Sequence, residues 1–134
     1  MTKPIILCVD DEPVILQSLR SQLMEAFGSS YGYETAEDAD EALEVIRELA
    51  EEDTNIVAIV SDWLMPGMKG DEFLIEVHQQ FPKITKIMLT GQAEQSAILR
   101  AKEQANIHCC LFKPWSEAEL IETLKSAFKQ FKLC

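Results

Sequence analysis

Five polar residues, Asp10, Asp11, Asp62, Thr90 and Lys113, each stand where an apolar stretch of the chain stops. If the fold gathers them, three carboxylates, a hydroxyl and an ammonium share one small space. Carboxylates so placed raise one another's pKa values unless a cation compensates. The set offers only oxygen ligands, without His or Cys. That favours Mg²⁺, which accepts one or two carboxylates, keeps several waters and commonly takes a phosphate oxygen as well. Lys113 offers a mobile point charge for a phosphate oxygen, and Thr90 a hydroxyl donor. One carboxylate, Asp62, can then act as the nucleophile that forms an acyl phosphate. Catalysis would rest on positioning and charge neutralisation.

The elements that must gather these groups follow from the apolar pattern. Ile5 to Val9 precedes Asp10 and Asp11, Ile56 to Ser61 precedes Asp62, Ile84 to Leu89 precedes Thr90, and Ile107 to Phe112 precedes Lys113. Each run reads as a buried strand. Helical spacing fills the intervals. Helix one spans about Pro13 to Phe27, with Ile15, Leu16, Leu19, Leu23 and Ala26 on one side. Tyr31 to Thr35 can be a short strand, and Ala39 to Glu52 a second helix with Ala42, Leu43, Ile46 and Leu49 inward. Phe73, Leu74 and Val77 mark a third helix that Pro82 closes. Helix four runs from about Glu94 to Gln104, and helix five from about Ser116 to Phe131 with Leu120, Ile121, Leu124 and Phe128 inward.

Five alternating βα units imply an α/β fold, a doubly wound parallel sheet covered on both faces with right-handed crossovers. The flavodoxin-like strand order 2-1-3-4-5 sets strand one beside strand three at the point where the order reverses. Ligands of such sheets bind there, beyond the carboxyl ends of the strands. In that order Asp10, Asp11 and Asp62 meet.

A chain of 134 residues with 47% apolar content supports one domain, 1–134, with no output domain expected. Its 12 basic and 23 acidic side chains give a formal net charge of -11, which argues against direct binding to nucleic acid or to an anionic membrane. Cys8, Cys109, Cys110 and Cys134 lack metal-site spacing and suit free thiols in a reducing compartment. No cleavable signal follows Met1, and no apolar stretch is long enough to span a bilayer, so a cytoplasmic location is expected. Taken singly, Asp11 would read as a helix cap, Asp62 as a turn residue, and Lys113 as a surface charge. Their joint placement at strand ends points to a site.

Val9-Asp10-Asp11-Glu12, Ser61-Asp62-Trp63-Leu64-Met65-Pro66-Gly67-Met68-Lys69-Gly70, Leu89-Thr90-Gly91 and Phe112-Lys113-Pro114 together resemble the receiver domain of two-component response regulators. The resemblance covers essentially the whole chain. It implies that Asp62 accepts a phosphoryl group from a phosphohistidine on a sensor histidine kinase or phosphotransfer protein. It further implies that Asp11 and Asp62 bind Mg²⁺ directly, Asp10 through water, with the Leu64 backbone carbonyl completing the set. Thr90 and Lys113 would contact the phosphoryl oxygens, and the Lys113-Pro114 bond would be cis. Such a chain catalyses only its own phosphorylation and dephosphorylation. The surface of helix four, strand five and helix five, with Arg100, Lys102, Glu117 and Lys125, would serve docking or homodimer formation.

The chain departs from the family's pattern at Cys110, where an aromatic ring usually pairs with the threonine three residues before the lysine. Ring rotation therefore cannot report phosphorylation here, and a receiver-like interaction module without phosphorylation is the alternative. Leu64 and Gln92 occupy two positions that tune dephosphorylation in the family. An apolar Leu64 cannot orient attacking water, so slow self-hydrolysis is expected. A haloacid-dehalogenase type phosphatase would want a second acid two residues after its nucleophile, where Asp62 has Leu64 but Asp10 has Glu12. A flavodoxin relative would need a Gly- and hydroxyl-rich phosphate loop in place of Asp10-Asp11-Glu12-Pro13.

Overall fold

Local signals in the chain set where its elements start and stop. Pro13 stands in the first turn of the first helix, where its missing N–H costs nothing. Asp38 and Ser116 cap two later helices, accepting the N–H groups of Glu41 at 2.8 Å and Glu119 at 3.0 Å. Gly28, at φ 61°, ends the first helix in the left-handed region that suits glycine.

The computed structural model describes residues 3–91 and 94–129. In chain order the elements are β1 (Ile5–Val9), α1 (Pro13–Phe27), β2 (Gly32–Ala36), α2 (Ala39–Glu51), β3 (Ile56–Asp62), α3 (Gly70–Gln80), β4 (Thr85–Thr90), α4 (Gln95–Gln104), β5 (Cys109–Phe112) and α5 (Glu117–Phe128). A single 3₁₀ turn, Gly28–Ser30, separates α1 from β2. All strand pairings are parallel, in the order β2-β1-β3-β4-β5 expected of the flavodoxin-like fold.

Side chains alternate across the sheet and divide the core in two. Ile6, Cys8, Val60, Ile87 and Leu89 pack against Leu16, Leu19 and Leu23 of α1 and Leu120, Ile121 and Leu124 of α5. Leu7, Val9, Ile59 and Met88 face Ala42, Leu43 and Ile46 of α2, Phe73, Leu74 and Val77 of α3, and Ala97 and Ala101 of α4. Residues of β1 and β3 are buried nearly throughout because these central strands are covered on both faces, whereas edge strand β2 is half-exposed.

Several boundaries differ from the sequence reading. Asp62 and Thr90 are the last residues of their strands, since each still pairs with its neighbour, Asp62 with Leu89 and Thr90 with Phe112. β5 starts at Cys109 because Asn106, at φ 51°, turns the chain and Ile107 still bonds back to Ala101. Ala26 is exposed rather than inward. Gln92 and the part of helix five beyond Lys129 lie outside the described residues. Cys8 and Cys110 are free, but Cys109 is engaged in a disulfide, so the expectation of four free thiols fails there and no longer argues for a reducing compartment. No helix among the described residues is long and apolar enough to cross a membrane.

Candidate functional site

The carboxyl ends of β1, β3, β4 and β5 bring the five expected residues together. Asp10, directly after β1, is fully buried, and its backbone N–H reaches Ala36 of β2 at 3.1 Å. One carboxylate oxygen accepts the Glu12 N–H at 2.9 Å and the other faces Lys113 Nζ at 3.0 Å. Asp62, only 4% exposed, places Oδ1 3.1 Å from the same ammonium. Asp11 is exposed at the mouth of the site, and carboxylate oxygens of Asp10, Asp11 and Asp62 all lie within 4.8 Å of one another. Thr90 is buried at the end of β4. Its carbonyl accepts the Lys113 N–H at 3.0 Å, which joins the ends of β4 and β5. The Lys113-Pro114 bond is cis. Leu64 lies in the loop after β3 with its side chain about half exposed, at 48%.

Burial, reinforced by the negative charge of Asp10, raises the pKa of Asp62, while Lys113 pulls it back and Asp11 adds to the rise. Burial alone would lower the pKa of Lys113, but its hydrogen bonds to Asp10 and Asp62 and their charges outweigh that and raise it. Asp11 does not cap α1, whose cap position is Glu12 without a side-chain bond. Asp11 is therefore left facing its two fellow carboxylates. Three carboxylates against one ammonium leave a formal surplus of two negative charges, and the donors are all oxygen. That donor set fits Mg²⁺.

Two features escaped the sequence reading, and a third residue, Cys110, was singled out there without its surroundings. Trp63 donates its indole N–H to buried Asp71 of α3 at 3.0 Å, and Arg100 of α4 holds the other oxygen of that carboxylate. Arg100 was expected on a docking surface. An acid in a helix's first turn ordinarily signals only a favourable dipole contact, so spacing gave no sign of this pairing. Lys86 of β4 is 2% exposed, with its ammonium on the Ile84 carbonyl at 2.6 Å. Burial pushes its pKa down to about 8. It was hidden inside a strand whose other members are apolar. Cys110 is half-buried against the α3 and α4 side of the core, and burial raises its thiol pKa.

The profile of the response regulator receiver domain matches residues 6–125. The chain is 33% identical over 122 residues to the hydrogenase transcriptional regulatory protein HoxA of Cupriavidus necator, covering 91% of this chain and 23% of that protein. The chain thus spans about a quarter of the HoxA proteins it matches. Chemotaxis protein CheY-3 of Vibrio cholerae serotype O1 is 29% identical over 127 residues, covering 93% of this chain and 92% of that protein. The solved signal receiver domain of an HD domain-containing protein from Pseudomonas fluorescens Pf-5 superposes with a TM-score of 0.84 at 33% identity, covering 96% of both chains. Sequence and fold agree along nearly the whole length, and the chain belongs to the response regulator receiver domains.

Proposed function

We propose that this chain is the phosphoacceptor receiver of a two-component phosphorelay, taking a phosphoryl group on Asp62 in a Mg²⁺-dependent reaction. The observation that carries the reading is Lys113 Nζ set between Asp10 and Asp62 at 3.0 and 3.1 Å, inside a cluster of three carboxylates at the sheet's switch point. A buried carboxylate of this kind is a poor surface group and a usable nucleophile. Its Oδ1 attacks phosphorus, the bond from phosphorus to the donor's histidine nitrogen breaks, and the nitrogen leaves with that bond's electron pair. Lys113 then neutralises charge on the transferred oxygens, and Thr90, buried beside it, offers a hydroxyl. Asp10, Asp11, Asp62 and the Leu64 carbonyl would hold Mg²⁺, which supplies neutralisation of the phosphoryl oxygens when bound.

The donor is a sensor histidine kinase or a phosphotransfer protein, in keeping with how receiver domains work, and the cytoplasm is the compartment proposed. The chain catalyses no reaction beyond its own phosphorylation and dephosphorylation. Leu99 and Phe112 are large apolar side chains exposed on α4 and β5, and they support homodimer formation through α4, β5 and α5. The acidic balance makes direct nucleic-acid binding unfavourable.

Intact mass after incubation with Mg²⁺ and acetyl phosphate tests this reading, with Asp62→Asn as the control. One added phosphoryl group in the parent and none in the variant is the expected result. A parent without adduct, whose Trp63 fluorescence still responds to Mg²⁺, would favour the second reading. That reading, an interaction module without phosphorylation, draws on Cys110 in place of a ring.

A further inference from the structure

Trp63, Asp71 and Arg100 make a chain of contacts that the acceptor chemistry does not use. The Trp63 indole N–H meets Asp71 Oδ1 at 3.0 Å, and Arg100 Nη1 meets Oδ2 at 2.5 Å. Asp71 is 1% exposed, and a buried carboxylate is tolerated only when paired and hydrogen bonded. Each oxygen is satisfied by a different part of the fold. One partner is the residue next to Asp62, and the other belongs to α4.

The backbone around this carboxylate is equally constrained. The Gly70 N–H donates to the Trp63 carbonyl at 2.8 Å, and a Cβ at Gly70 would lie 2.2 Å from the Asp62 carbonyl oxygen. The start of α3, which carries Asp71, is therefore pressed against the end of the acceptor strand and must follow it. Lys69 holds the outer face of the indole, 5.5 Å from the ring centre. Beyond Asp71, Ala97 and Ala101 bury α4 in the same cluster as Phe73 and Leu74 of α3.

We propose that Asp71 is a positioning residue that carries the state of Asp62 to α4, through Trp63 on one side and Arg100 on the other. The proposal rests on the reading of Asp62 as phosphoacceptor. A phosphoryl group puts three further oxygens and about 1.5 to 2 negative charges, in place of the carboxylate's one, at the end of β3, directly beside Trp63. A shift of that loop moves the indole N–H, the Asp71 carboxylate turns with its donor, and Arg100 follows it or loses its partner. Cys110 gives this route its importance, because a half-buried thiol on β5 cannot report on Thr90 as a ring would. The α3 side still reaches α4.

Hydrogen exchange of α4 amides, measured on the full chain with Mg²⁺ and with or without acetyl phosphate, tests the relay. Intact mass on the same samples counts the phosphoryl adduct. In the parent, phosphorylation is expected to change exchange within α4. In Arg100→Met and Trp63→Phe the adduct forms as in the parent, but the α4 response shrinks by a factor of about three or more. Arg100→Lys restores part of it. Adduct with an undiminished α4 response in both variants overturns the relay, as does a phosphorylated parent whose α4 does not respond. A parent that takes no phosphoryl group overturns the acceptor reading, and the relay with it.

Discussion

Replacing Gly70 by alanine probes the junction on which the site depends. An ideal Cβ there would lie 2.2 Å from the Asp62 carbonyl oxygen, 2.7 Å from Trp63 Cα and 3.0 Å from the Asp62 carbonyl carbon. Bringing the shortest of these to 3.0 Å needs a separation of roughly 0.8 Å between α3 and β3, in an interior that is close-packed and transmits strain. All three atoms are backbone, so no rotamer change relieves the clash. Overpacking of this kind costs about 1–3 kcal/mol. Weakening the 2.8 Å bond from Gly70 N–H to the Trp63 carbonyl adds about 1 kcal/mol. The better helix propensity of alanine returns at most about 1 kcal/mol. The net loss is about 1–3 kcal/mol, or a Tm lower by roughly 4–11 °C for a chain of this length.

Urea unfolding followed by tryptophan fluorescence measures that loss. Gly91→Ala is the matched control, because a Cβ at Gly91 meets only Lys113 Cβ at an ordinary 3.8 Å. The control is expected to stay within about 0.5 kcal/mol of the parent. Acetyl-phosphate labelling of Gly70→Ala should also fall, since Asp62 moves relative to Lys113. A Gly70→Ala midpoint equal to or above the parent's would refute the claim that the two backbones are in contact.

Other consequences follow from the same charges and packing. Asp62→Asn removes a carboxylate whose pKa burial and Asp10 raise, so holding its charge in the fold costs stability. The variant should gain about 1 kcal/mol in urea unfolding at pH 7 without divalent cations, and a less stable variant would contradict this. Lys86 has its pKa lowered to about 8 by burial, so above that pH the unfolded chain binds the extra proton and stability rises with pH up to the ordinary lysine value of 10.5. Lys86→Met should abolish this rise, worth at most about 3 kcal/mol, and be the more stable protein at pH 7. The comparison is best made between pH 7 and 9, because the buried Cys8 thiol, pushed up to about 12, lowers stability from pH 9 upward. A parent and variant with parallel pH profiles would refute the burial argument. Leu64→Asn gives the half-exposed loop position a group able to orient water and should shorten the phospho-Asp62 lifetime by about tenfold or more, read as decay of the mass adduct. An unchanged lifetime would mean that Leu64 does not limit hydrolysis.

The fold and the site were legible for one reason: the residues that specify them are ordered along the chain. Apolar runs such as Ile56 to Ser61, short and rich in β-branched residues, read as buried strands, which sets Asp62 at a strand end. The strand order then sets β1 beside β3, so Asp10 and Asp62 could be placed together without coordinates. What escaped were pairings between elements distant in sequence or hidden in them. Asp71 and Arg100 are separated by 29 positions, each unremarkable on its own helix, and only the packing of α3 on α4 makes them partners. Lys86 replaces an apolar residue inside β4, and periodicity treats it as an interruption of the pattern rather than as a buried amine. The register of β5 was blurred in the same way. Ile107 is as buried as a strand residue, but its N–H still answers to Ala101 of α4.

The charge balance of the site explains why its single ammonium is the group that must respond. With all three carboxylates ionised, Asp10, Asp11, Asp62 and Lys113 carry a formal surplus of two negative charges, the amount a divalent cation would cancel. A phosphoryl group on Asp62 carries about 1.5 to 2 negative charges but replaces the carboxylate's own, a net gain of roughly 0.5 to 1. Lys113 now divides its contacts between Asp10 and Asp62, and each contact is short enough that a third, more highly charged acceptor can be gained only by loosening one of them. Asp10 keeps a second partner in the Glu12 N–H, so it can release Lys113 without being left unpaired in the interior. The Lys113 backbone is tied to Thr90 through its N–H. The ends of β4 and β5 that carry Thr90 and Lys113 are thus joined, while Trp63, in the loop after Asp62, is bonded to Asp71 of α3. On the proposed reading, a phosphoryl group on Asp62 would act on α4 from two sides, through the joined ends of β4 and β5 and through Trp63, Asp71 and Arg100.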